Sequence, residues 1–153
     1  MTEREALRQR MANHEEMVAT ETAAYEVRQS DDAQAIDACN EAIRLLRGFP
    51  SAGANLLQVS ELKDGTMKIS TRAMKEGSAF LPLISALTSL VEMETVSPSA
   101  CQEVLVLLEN LRDAIAAAKA QDVVSHNTNV AMWTQTFTDM TTQMNTLNTN
   151  IED

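Results

Sequence analysis

Turn-forming and aromatic residues are scarce: four Gly, three Pro, three Phe, one Tyr and one Trp in 153 residues. A sheet protein needs turns between its strands and β-branched or aromatic side chains along them, so this scarcity argues against a β architecture and for helices. Basic residues are few as well. Twelve Lys and Arg stand against 22 Asp and Glu, a net charge of −10. A nucleic-acid binder needs a basic patch to displace counterions from phosphate, and an anionic membrane surface asks for the same, so neither partner fits. The longest apolar stretch, AFLPLISALTSLV, has 13 residues, one of them proline and three of them hydroxylic. A membrane span needs roughly 20, so no span is expected. The start, MTEREALRQRM, is charged and lacks the apolar segment of a secretory signal. A processed mature fragment would lack one too.

Catalytic and metal-binding patterns are also missing. With two His and two Cys the search is short. A di-iron bundle uses Glu-x-x-His pairs, but Met11 precedes His14 by three and Val123 precedes His126 by three. The HEEM at 14–17 has no second His to complete a zinc-protease motif. ELKDGTMKIS supplies one Asp before its Gly, too few for a calcium loop. There is no Gly-rich phosphate loop and no nucleophile elbow. The expectation is a non-enzyme without a cofactor. Metal binding reduces to weak calcium association with a diffuse acidic surface, to which pairs such as Glu15-Glu16 and Asp31-Asp32 contribute. His14 and His126 read as surface or seam residues. Cys39 and Cys101 admit two readings, buried free thiols or a disulfide implying an oxidising compartment.

What the chain does have is helical periodicity. Thr2 is placed to cap a long helix over residues 2–48, with Glu3 and Glu5 at its positive end and Gly48 and Pro50 as the stop. Met11, Val18, Tyr25, Asp32, Cys39 and Leu46 recur every seven residues, a seam that is apolar except at Asp32. Shorter helices are expected over about 55–75, with a break at Asp64-Gly65, and over 80–94, where Pro82 is tolerated in a first turn. A second long helix is expected over 98–152, with Ser97 as cap and Pro98 first. Val104, Leu108, Leu111, Ile115 and Ala118 are spaced 4, 3, 4, 3, and Val130, Trp133, Phe137, Met140, Met144, Leu147 and Ile151 are spaced 3, 4, 3, 4, 3, 4. The gap between Ile115 and Val130 is a stutter, which unwinds a coiled coil locally. The tail TQTFTDMTTQMNTLNTN is rich in poor helix formers and needs a partner for its seam.

These features predict a single all-α domain over 1–153: an elongated antiparallel coiled coil of two long helices, with two shorter helices packed at one end in a four-helix arrangement. The uncharged run forms the buried helix of that cluster, with Phe80, Leu81, Leu83, Ile84, Leu87, Leu90 and Val91 supplying stability. Leu108, Leu111, Ile115, Trp133 and Phe137 are the packing and assembly residues of the last helix. Antiparallel pairing sets paired positions to sum to about 150, so Tyr25 meets Ser125 and His126, Val18 meets Trp133, and Met11 meets Met140. Asp32 then falls near Ala118, whose small side chain leaves room for water.

AFLPLISALTSL and VLVLLENLRDAIAAAKAQD, with AIDACNEAIRLL before them, resemble in order and spacing the trichocyst matrix proteins, structural proteins of protist extrusomes. The likeness spans about residues 20–125 and leaves out the Thr/Asn tail. It implies a mature acidic polypeptide packed in a secretory-granule core, in an ordered lattice that expands on calcium exposure. Without a signal or pro-segment, the chain would then be a processed piece. The reading is a self-assembling structural subunit in the granule lumen. Its alternative is a helical scaffold or accessory subunit of a larger complex in the cytosol or an organelle. A lipid-surface helix protein fits less well, because heptad seams are narrow and basic flanks few.

Overall fold

The computed structural model describes residues 1–52, 56–76, 81–92 and 98–152. It is all-α: α1 (Glu3–Ala52), α2 (Leu56–Glu76), α3 (Leu81–Glu92) and α4 (Pro98–Glu152), with no strand among the described residues. The start of α1 is a capping box. The Glu5 amide donates to Thr2 Oγ1 at 3.2 Å and the Thr2 amide donates to Glu5 Oε2 at 2.7 Å, so two orphan donors are satisfied reciprocally. These bonds with Thr2 hold the Glu5 carboxyl below its ordinary range. The box is therefore intact at neutral pH and lost as pH falls through that lowered value.

Two helix boundaries differ from those the sequence implies. α1 runs through Gly48 and Pro50 to Ala52. Proline removes one amide bond to the preceding turn and crowds the carbonyl four residues back, a cost that α1 carries in its last turn. α2 passes unbroken through Asp64-Gly65. Glycine inside a helix costs roughly 1 kcal/mol against alanine, too little to break a helix whose Ile69 and Ala73 are fully buried. A Cβ added at Gly65 would meet nothing within 4 Å. Gly65→Ala should therefore stabilise the protein by about 0.5–1 kcal/mol, read as a higher urea midpoint. A lower midpoint would mean that α2 is not continuous there.

The chain divides into two compact units, Met1–Gln29 with Ala120–Asp153, and Ser30–Lys119. In the second unit all four helices share one core. α1 contributes Cys39, Ile43 and Leu46, α2 contributes Ile69 and Ala73, α3 contributes Leu83 and Leu87, and α4 contributes Leu108, Leu111 and Ile115. α3 is one-sided rather than buried all round. Leu83 and Leu87, four apart, are fully buried, while Leu81 is 53% exposed and Ser85, Thr88 and Ser89 face water. The run lacks charge, yet its hydroxylic residues give it a solvent face, and Leu81 does not belong to the core. The side chains of Phe80, Leu90 and Val91, and Ser97 with them, lie outside the described residues.

Asp32 has a partner that the heptad arithmetic does not name: Arg72 of α2 reaches it at 3.0 Å and also pairs with Glu76 at 2.7 Å. The polar residue in the seam of α1 is thus the point where α2 is tied to it. Nearer the ends of the long helices, Arg112 Nη1 lies 3.5 Å from Asn40 Oδ1 and Arg47 pairs with Glu109 at 2.8 Å, as an antiparallel α1 and α4 require.

In the first unit α1 and α4 pair alone. Tyr25 meets His126, Arg28 meets Asp122 and His14 meets Phe137, so paired positions sum to 150 or 151, the expected register. Among the described side chains of this unit only Leu7 and Met140 are buried, and Val18, Tyr25, Trp133 and Phe137 are half-buried. Two helices cover one side of each other's seam and no more.

Candidate functional site

The seam of the first unit carries matching irregularities. On α1 the half-buried positions His14, Val18, Thr22 and Tyr25 are spaced 4, 4, 3, and on α4 Asp122, His126, Val130 and Trp133 are spaced 4, 4, 3, with Val130 the more exposed of the set. Each is one residue out of step with a heptad, so both helices are locally unwound, over successive turns of the same pair. The seam opens there into a groove of about 570 Å³ lined by Val18, Thr22, His126, Val130, Trp133 and Phe137, among others.

Rings occupy the loosened seam. Tyr25 stacks on His126 with centroids 3.8 Å apart and planes within 2°. Trp133 meets His126 edge-on with centroids 5.9 Å apart. His14 lies 6.3 Å from Phe137, and its Nε2 is 3.1 Å from the Trp133 carbonyl oxygen. Both histidines, the single Tyr and the single Trp therefore gather along the same few turns of the seam. Flat rings fill the wide, shallow gap that a stutter leaves better than aliphatic chains do.

About one turn from Tyr25 and His126 an ion pair joins the two helices. Arg28 Nε and Nη2 each donate to the Asp122 carboxylate at 3.1 Å. That bidentate bond is the main cause holding the Asp122 carboxyl below its ordinary 3.8, against the opposing effect of partial burial. The contribution is present above the ordinary value and lost as pH falls through the lowered one. Arg28 is half exposed, so water screens the pair and its worth is small.

The hydroxyls on the Thr-rich face of α4 are satisfied within their own helix. The hydroxyls of Thr134, Thr138, Thr142 and Thr146 donate to the carbonyls of Val130, Thr134, Thr138 and Thr142, at 2.8–3.1 Å. Thr128, Thr141 and Thr149 do the same. Each hydroxyl finds its acceptor inside its own helix, fixing the rotamer and turning the methyl outward.

The remaining expected site residues fall elsewhere. Leu83, Leu87, Leu108, Leu111 and Ile115 are all fully buried in the core of the second unit. Cys39 and Cys101 are buried free thiols in that same core. Burial pushes the Cys39 thiol up to about 11, with Arg112 pulling weakly the other way, and burial raises Cys101 as well. Little thiolate forms at neutral pH, so neither is a ready nucleophile. Trp133 and Phe137 stand apart from them, in the first unit's groove. Arg72 escaped the sequence reading. Its spacing of four from Glu76 was visible, but no local pattern tied it to Asp32.

Among the described residues no three His, Cys, Asp or Glu come together to hold a metal ion, and no helix is long and apolar enough to cross a membrane. The groove offers apolar walls, two imidazoles and hydroxyls already committed to backbone carbonyls, a surface suited to packing. No curated protein and no solved structure matches the chain. The family model described as trichocyst matrix protein T1-F matches residues 2–153, so it takes in the Thr/Asn tail that the quoted stretches left out, and the chain belongs to that family.

Proposed function

We propose that this chain is a structural, non-catalytic subunit of a secretory-granule matrix of the extrusome kind, working in the granule lumen by packing against further copies of itself. Family membership over residues 2–153 carries this reading. The half-covered seam of the first unit supports it, because a two-helix pair with only Leu7 and Met140 buried among its described side chains gains from any further helix laid on it. At a net charge of −10 copies repel one another, and divalent cations gathered over the acidic surface would weaken that repulsion. With no compact ligand group among the described residues, such a response is diffuse, weak and many-sited.

Sedimentation velocity with and without millimolar calcium is the test. The expected result is a shift to larger species with calcium, together with calorimetry that shows shallow binding without unit stoichiometry. A monomer under both conditions would overturn the assembly reading. One submicromolar site would overturn the diffuse one.

A further inference from the structure

The charge of the first unit is one-sided. Residues 3–29 of α1 carry six Glu and four Arg, whereas residues 123–151 of α4 carry Asp139 and, His126 apart, no other ionisable side chain. Yet α4 is mostly exposed over this stretch, and Val130 shows 41% of its surface. An exposed helix without charge is poorly arranged for staying apart from its neighbours in a protein of net charge −10. Its row from Val130 to Thr146 lets a second acidic copy settle while bringing few like charges together, Glu15 of the adjoining groove and Asp139, next to Thr138 in sequence, being the acidic groups nearby.

The geometry is specific. Val130, Thr134, Thr138, Thr142 and Thr146 follow one another at intervals of four, a raised row of the kind that packs into the groove of a facing helix. Val130, Thr134 and Thr138 also form one wall of the aromatic groove. Ridge and groove therefore lie side by side on one surface. That arrangement is self-complementary under a two-fold axis: the row of each copy enters the groove of the other. The row is also prepared for burial. Its four hydroxyls already donate to backbone carbonyls, so no donor loses water when the methyls are covered, and the bonded rotamers leave little side-chain entropy to lose.

We infer that a second copy of this chain docks on the uncharged row Val130–Thr146 of α4 and the adjoining groove of Val18, Thr22, Trp133 and Phe137, forming an isologous contact. This rests on the proposed matrix role and names the surface that serves it. Rows at four-residue spacing in both partners cross at about −50°, so the two copies of the pair splay apart instead of lying along one another in a bundle.

Two measurements test the contact. Trp133 is the only tryptophan, so acrylamide quenching of its fluorescence should fall several-fold as wild-type protein is concentrated through its association range. The double substitution Thr134→Glu with Thr138→Glu should raise the dissociation constant at least ten-fold in sedimentation equilibrium while circular dichroism stays unchanged. Ala23→Glu, which adds charge on the exposed side of α1, should leave association near wild type. Association with unaltered Trp133 quenching, or association that ignores the Thr134/Thr138 charges, overturns the surface and leaves the matrix reading standing. A wild-type chain that stays monomeric at every concentration, with and without calcium, removes both.

Discussion

Leu87→Asp should unfold the four-helix unit, whereas Leu81→Asp, six residues earlier on the same helix, should leave it nearly untouched. Leu87 has no exposed surface and sits in the core with Leu83, Ile69 and the α4 leucines; Leu81 is 53% exposed. The substitution at Leu87 forfeits about 1.5–3 kcal/mol of apolar burial. It also places a carboxyl where no partner waits, at a further cost of several kcal/mol. The sum rivals the 5–15 kcal/mol total stability typical of a domain. At Leu81 the carboxylate stays in water and the change should fall within about 0.5 kcal/mol. Thermal melts followed by circular dichroism separate the two. Equal midpoints would show that α3 does not bury the Leu83–Leu87 face.

The contrast between these leucines marks where the sequence was readable. Heptad spacing carries the pairing of α1 with α4 because a seam repeats over many turns and one misplaced residue would turn it all to solvent. The contact of Tyr25 with His126 follows from that arithmetic. The stutter was visible too, as the interval from Ile115 to Val130, and the structure adds its counterpart on α1, where His14, Val18 and Thr22 are spaced by fours. That half was hidden because Thr22 and His14 are not apolar and do not register in a hydrophobic pattern. The uncharged run of α3 misled in the opposite direction. Absence of charge suggests burial, yet serine and threonine give a helix a wet face as well as lysine does. Residues such as Arg72 fall outside any local pattern. Asp32 and Arg72 are 40 apart in sequence, and only the path of the chain brings them together.

That pair carries the second large effect. Arg72, Asp32 and Glu76 expose no more than 18% of their side chains, so their charges are largely out of water. Glu76 is also the last residue of α2, where a carboxylate opposes the negative end of the helix, and Arg72 offsets it. Arg72→Leu would leave both carboxylates without the guanidinium that pairs with them. Loss of one member of a buried pair typically costs about 3–5 kcal/mol. The residual exposure here lowers the expectation to about 2–4 kcal/mol. The pair itself is not a strong net stabiliser, since both charges were desolvated to form it and Arg72 Nε has no partner. Asp32→Leu together with Arg72→Leu should therefore restore much of the loss, because the stranded carboxylate in the seam is then gone and a leucine suits its apolar neighbours. Urea denaturation of the two single variants and the double variant gives the coupling, expected at about 1–3 kcal/mol. Additive losses would show that Arg72 holds Glu76 alone and that α2 is fastened to α1 by its apolar face, through Ile69 and Ala73, with no contribution from the charge in the seam.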